Sequence, residues 1–536
     1  MNPRCGGQTG GPGRSRRRRR SQRRRRRRAS RRRARPLQRP PGARDAARLL
    51  RREAGAARRR PRGGRVRRLD CARRARRGAQ SDGRPSGVPA RRSRRRDASR
   101  PRGLRSRPPL HHPHIGRRSV DVLSVTEGEI LEPAGLERYA DAITKSIALK
   151  RGDTIVVRGA PAHRELMLAV AASAYRGGAH AVDMVTSDPL LMRARLEHAR
   201  ADALGALTPW QKTRLRELTK AGSAEIYISG ESDPGFLDGI PRKRIRAEYV
   251  RSGQETRAFR RASMNMLVRW TIAGWPTDPW ASEVYPELPL LEAKRKLARD
   301  LLYFCRLTDG DGAGATGWLA HCRALEKRSQ KLTRLKLTRV ELRGPGTTLD
   351  LGLVPGTAWL GGLEKTRYGA TIAANMPTEE TFTSPDAGAT EGTFTCTVPL
   401  SFQGRLIEGL RGEFRNGRLV RLHAKNDADR DFVASYIDSD PKKNGRRLGE
   451  VALVDSTSRI GQSGRTYFDT LLDENATAHI AFGSGFGLTR TQKPARALNQ
   501  SPVHLDVMIG SPDFEATGVN AKGTRVPIIK DGLWRI

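Results

Sequence analysis

Apolar residues return at helical spacing through Leu136, Tyr139, Ala140, Ile143 and Ile147, which predicts an amphipathic helix over 133–149. Asp153 then leads into Thr154-Ile155-Val156-Val157, a short apolar run of the kind a buried strand shows. A second helix is predicted over 161–176, with Leu166, Ala169, Val170 and Ser173 inward and Gly177-Gly178 at its end. Residues 179–185 form the next strand. A strand–helix–strand unit favours a parallel sheet with right-handed crossovers. Further helices are expected over 189–204, 207–220 and 290–306, with a strand at Ile226-Tyr227-Ile228. From Leu337 the period changes to short alternating runs broken by Gly and Pro, at 337–342, 349–353, 392–398 and 409–414, which is strand and turn chemistry. The expected architecture is an α/β N-terminal domain over 119–334 followed by a β-rich α+β domain over 335–536.

The stretch before these elements has no such pattern. Residues 1–118 hold 45 Arg, no Lys and five acids (Asp45, Glu53, Asp70, Asp82 and Asp97), a net charge of +40 out of +48 for the chain. With almost no aromatic or β-branched content it cannot bury enough surface to offset chain entropy, so a disordered Arg-rich segment is expected. Arg without Lys fits translated GC-rich sequence ahead of the true start better than a nucleic-acid-binding arm. The body keeps only +8, which removes the charge argument for nucleic acid. His111, His112 and His114 lie in a Pro-rich linker with no further donors nearby. Five scattered cysteines form no CxxC pair and no disulfide framework. No apolar run approaches the ~20 residues needed to cross a bilayer. A cytoplasmic protein is expected.

Chemistry concentrates in the second half. Arg158-Gly159-Ala160-Pro161 has neither glycine pattern of a phosphate cradle, so no nucleotide is expected there. The aromatic residues Trp270, Trp275, Trp280 and Tyr285 are read as packing rather than as a pocket. Asn375-Met376-Pro377-Thr378-Glu379-Glu380 offers carboxylates after a Pro turn, and Leu448-Gly449-Glu450 sets a lone Glu before an apolar strand. Glu474 and His479 stand five apart. His504 and Asp506, at i and i+2, share one face of a strand. Such carboxylate and imidazole donors suit Zn²⁺, Co²⁺ or Mn²⁺. Several carboxylates with two His suit two ions and a bridging carboxylate.

Asn375 to Asp386, Glu391-Gly392-Thr393, Leu406-Ile407-Glu408-Gly409, Leu448-Gly449-Glu450, Asp473-Glu474-Asn475-Ala476, His479-Ile480-Ala481 and His504 to Ser511 resemble, in order and spacing, the thermophilic metalloaminopeptidase family of the aminopeptidase T and S type. Arg343 to Thr347 and Trp275-Pro276-Thr277 fit it too, so the resemblance spans about 120–536. It implies an exopeptidase that takes N-terminal residues from peptide substrates with two divalent metal ions (Zn, Co, Mn or Mg). It also implies a C-terminal metal-binding catalytic domain and a homodimer. Carried over motif by motif, the metal ligands are Glu380, Glu450, Glu474, His479, His504 and Asp506. Glu450 is the choice for the bridging, catalytic carboxylate.

Two positions depart from the pattern. Phe486 stands where the family usually has Tyr, seven residues after the first ligand His, and Thr348 stands where it often has Asp. A phenol beside the metals can donate to a developing oxyanion, and a phenyl ring cannot. This motivates an alternative, a family member with weakened catalysis that acts by binding. The other is nucleic-acid binding through the Arg-rich arm.

Overall fold

The computed structural model describes residues 129–220, 222–230, 234–312, 314–354, 356–489 and 497–536. The Arg-rich segment 1–118, its expected disorder and the linker histidines lie outside the described residues. Helix α1 (Pro133–Ser146), strand β1 (Thr154–Gly159), helix α2 (Arg164–Arg176) and strand β2 (Ala181–Thr186) follow the expected order. α1 opens with Pro at its first position, where the missing N–H costs nothing. The second helix begins later than expected, because Pro161–His163 is a 3₁₀ turn. β1 pairs in parallel with both β2 and β3 (Ala224–Ser229), and β3 pairs in parallel with β4 (Arg269–Gly274). The fifth strand of this parallel sheet comes from far down the chain, the two-residue Asn375–Met376 beside β4. It delivers the Pro377–Glu380 turn to the carboxyl end of the sheet.

The periodicity missed strand β4, the helices Arg242–Glu255 and Arg257–Met264, and the 19-residue helix Thr316–Arg334. β4 begins with a buried Arg269, whose guanidinium meets Asp153 at 2.8 Å and donates to the carbonyls of Gly222 and Ala148. A strand that opens on a buried cation does not alternate. Helix Arg242–Glu255 buries a single residue, Glu248, and so lacks an apolar stripe. Trp275, Trp280 and Tyr285 are buried, and Trp280 Nε1 donates to the Tyr467 carbonyl at 2.5 Å. The cluster of Trp280 and Tyr285 joins helix α3 (Leu290–Phe304) to Ile460, Tyr467 and Leu472, while Trp275 packs in the core of the parallel sheet.

Beyond helix α4 (Thr316–Arg334) the chain is mostly strand. In order these are β5 (Leu337–Gly344), β6 (Thr347–Leu353), β7 (Thr381–Thr383), β8 (Pro385–Thr395), β9 (Arg411–Arg415) and β10 (Arg418–His423). Then come β11 (Leu448–Leu453), β12 (His479–Gly483), β13 (His504–Met508), β14 (Glu515–Asn520), β15 (Arg525–Lys530) and β16 (Leu533–Trp534), with the one-turn helix α5 (Thr470–Glu474) before β12. An eight-stranded sheet runs β10-β9-β8-β6-β5-β14-β15-β16, and a four-stranded antiparallel sheet runs β7-β11-β12-β13. Val451, Leu453, Ile480, Phe482, Leu505 and Val507 of the smaller sheet join Leu349, Leu351, Phe394 and Phe414 of the larger in one core.

Because side chains alternate along a strand, the other face of the four-stranded sheet is defined by the residues between those apolar ones. Glu450 lies opposite Ala481, and Ala481 opposite Asp506. Ala452 faces His479, and Gly483 faces His504. This face therefore gathers Glu450, His479, His504 and Asp506 around small residues. Glu450 is inside its strand rather than ahead of it as expected. A bulge carries it there: Leu448 pairs with Phe482 while Glu450 pairs with Ala481, leaving Gly449 as the extra residue. A Cβ on Gly449 would come within 2.2 Å of the Ser484 carbonyl oxygen and 2.3 Å of that of Gly483, so only glycine fits. Thr348 is exposed on β6, away from this sheet, and nothing in the structure explains its departure from the family pattern.

Candidate metal centre

Four of the six expected ligands thus come from three neighbouring strands. Glu380 enters from the turn ahead of β7, and Glu474 from the last residue of α5. The structure brings all six together. Donor atoms lie within 4.8 Å of one another in three overlapping groups: Glu380–Glu450–His479, Glu450–His504–Asp506 and Glu474–His479–Asp506. His479 Nε2 is 3.3 Å from Glu380 Oε2, and His504 Nε2 is 3.5 Å from Glu450 Oε2 and 3.2 Å from Asp506 Oδ1. His479 Nδ1 sits 3.4 Å from the Thr477 carbonyl, which leaves Nε2 turned toward the carboxylates.

Burial and mutual charge shift Glu450, Glu474, His479, His504 and Asp506 from their ordinary values. Glu450 is pushed up to about 8, first by burial and then by the Glu380 charge. Glu474 is raised well above the carboxylate range by burial and then by Asp506, Glu380 and Glu450. Burial pulls both imidazoles down, yet carboxylates outweigh it: Glu380 first for His479, raised to about 9, and Asp506 first for His504, raised to about 10. Asp506 feels burial upward, but the His504 charge holds it below its ordinary value. The imidazoles thus take up protons as counter-charge in a buried anionic nest. Asp506 is buried, and its Oδ1 faces the His504 imidazole. Oxygen and nitrogen donors about 2.0–2.2 Å from Zn²⁺ lie up to ~4 Å apart, so three groups closing within 4.8 Å fit divalent ions with little movement.

Glu379, named with Glu380 as a carboxylate of the Pro turn, is turned away. It pairs with Arg306 through both oxygens (2.5 and 2.9 Å), lies 3.4 Å from His321 Nε2, and accepts from the Arg459 N–H at 3.3 Å. His321 also bonds the Thr378 carbonyl at 2.8 Å, so the turn carrying Glu380 is clamped on several sides. No local signal announces this clamp, because Arg306 and His321 are far away in the chain. Nor did it single out Glu364, whose carboxyl is pushed up to about 7 by burial and then by Glu380. Phe486 stands beside the nest, its ring edge-on to His504 (5.7 Å) and to Phe382 (5.1 Å).

Residues 133–534 match the thermophilic metalloprotease (M29) family. Aminopeptidase T of Thermus thermophilus is 32% identical over 406 residues, 74% of this chain and 98% of that protein. Aminopeptidase PepS of Streptococcus thermophilus is 31% identical, over 75% and 98% of the two chains. The solved structure of wild-type AmpT from Thermus thermophilus superposes with a TM-score of 0.69, covering 75% of this chain and 99% of that one. Fold, donor set and relatives together define a metal-dependent peptide hydrolase of the aminopeptidase class. The chain belongs to the thermophilic metalloprotease family.

A buried imidazole outside the nest gives a separate test of the fold. Burial lowers His163 from 6.5 to about 4. The unfolded chain then binds a proton that the native chain refuses, so this residue's contribution is intact above pH 6.5 and declines as pH falls toward 4. Compared with His163→Gln, the wild type is expected to lose about 1.4 kcal/mol per pH unit across that window, read from urea midpoints. Parallel pH profiles for the two proteins would show that His163 is not held neutral.

Proposed function

We propose that this protein removes N-terminal residues from peptides through a pair of divalent ions held by Glu380, Glu450, Glu474, His479, His504 and Asp506. The observation that carries the reading is the closure of all six donors into overlapping groups on one sheet face. Glu450 is the proposed bridging carboxylate. Glu450 and Asp506 are the two carboxylates shared by two groups, and a carboxylate offers two oxygens where an imidazole Nε2 offers one; Glu450 has Glu380 and His479 to one side and His504 and Asp506 to the other. When bound, such ions acidify water and polarise a carbonyl. The chain's own residues supply the rest. Phe382 and Phe486 give the nest an apolar border. The clamp on Glu379 holds the Glu380 turn in place.

The division into 119–334 and 335–536 also stands as a proposal. It is supported by two cores, one drawn from 130–322 with Ala373 and Met376, the other from residues 332–529. No helix among the described residues is long and apolar enough to cross a membrane. A cytoplasmic location, a homodimer and no nucleic-acid partner are part of the same reading. The test is hydrolysis by the full chain of an amino-acyl amide with a free amine and of its N-acetylated form, with elemental analysis. Only the free amine is expected to react. Chelator should abolish the reaction and added divalent ion restore it. Full activity in metal-free protein sinks the reading.

A further inference from the structure

Four of the donors are fixed by the strand ladder, but Glu380 and Glu474 are not. One ends a turn and the other a one-turn helix, so something else must set their mutual distance. Asn475 lies between them and is fully buried. Its Oδ1 accepts from the Glu379 N–H at 2.7 Å and from Thr378 Oγ1 at 3.4 Å. Its Nδ2 donates to the Leu471 carbonyl at 2.9 Å and approaches Glu474 Oε1 at 3.4 Å. The two backbone partners leave the amide one orientation, since only oxygen can meet an N–H and only nitrogen a carbonyl. The Asn475 carbonyl is itself held by Ser458 Oγ at 2.8 Å. One planar group thus ties the peptide beside Glu380 to the carboxylate of Glu474.

We infer that Asn475 is a positioning residue that sets Glu474 against Glu380 and thereby the affinity of the site for its ions. The inference rests on the metallopeptidase reading. Outer partners of this kind commonly change metal affinity 10–100-fold when altered. Asn475→Asp keeps an oxygen for the Glu379 N–H but turns a carboxylate oxygen toward the Leu471 carbonyl and Glu474. Asn475→Ser keeps a short acceptor that cannot span to Glu474, and it asks the same question should the Asp variant fail to fold.

The experiment is a Zn²⁺ titration of the full metal-free chain in competition with a fluorescent chelator, with thermal melts of the same metal-free samples. Folded variants are expected to bind Zn²⁺ about 10–100-fold more weakly than wild type. A lower melting temperature with unchanged Zn²⁺ affinity would make Asn475 merely structural and overturn the inference. Wild-type protein that binds no Zn²⁺ would remove the metallopeptidase reading itself, and this inference with it.

Discussion

Glu450→Ala is expected to lose bound metal and peptidase activity together, and His479→Ala and His504→Ala should behave alike. Glu450 belongs to two of the three donor groups, so its loss opens both. Ions that polarise a carbonyl and acidify water supply several kcal/mol of transition-state stabilisation. At about 1.4 kcal/mol per factor of ten, the rate should fall roughly 10³-fold or more. The variant should nevertheless fold. In the metal-free protein Glu450 is a carboxyl raised first by burial and then by Glu380, and removing it relieves the cost of burying an acid. Melts without metal should therefore be unchanged or higher, while the stabilisation that wild type gains from added Zn²⁺ should vanish. Elemental analysis, steady-state rates and paired melts check this. A metal-loaded, active Glu450→Ala would remove Glu450 from the centre.

Phe486→Tyr is expected to raise kcat by about 10², with KM changed far less. The Phe486 ring lies edge-on to His504, so a para-hydroxyl would be added at the border of the nest. One well-placed donor to a developing oxyanion is worth about 10²–10³ in rate. Such a contact belongs to the transition state, and its gain appears in kcat. The two proteins should be compared on one amino-acyl amide substrate at equal metal content. An unchanged or lower kcat would show that another group already fills the role.

Much of this was legible because alternation and turn chemistry survive in sequence. The first parallel unit and most strands after Leu337 follow from it, and the His504–Asp506 pair declares its shared face through i, i+2 spacing. The ligand set came from the resemblance rather than from spacing, since nothing local tells that Glu450, His479 and Asp506 meet across three strands. Elements that bury charge were illegible, above all β4 with Arg269 at its head. So was the choice between Glu379 and Glu380, which depends on Arg306, in the turn after α3, and on His321 of α4. Asn475 stood inside a quoted motif, yet its role needed two elements that only the folded chain places together.

The extra residue at Gly449 lets two positions of the same parity serve opposite faces of one sheet. Leu448 and Glu450 are two apart and would face the same way in a regular strand, yet one meets Phe482 in the core and the other Ala481 in the nest. Excising Gly449 would make the leucine and the acid direct neighbours, which a regular strand points to opposite faces, so both could keep their partners without the bulge. Transplanting the centre onto another antiparallel sheet would therefore call for an acid directly beside a core residue, and the irregularity could be left behind.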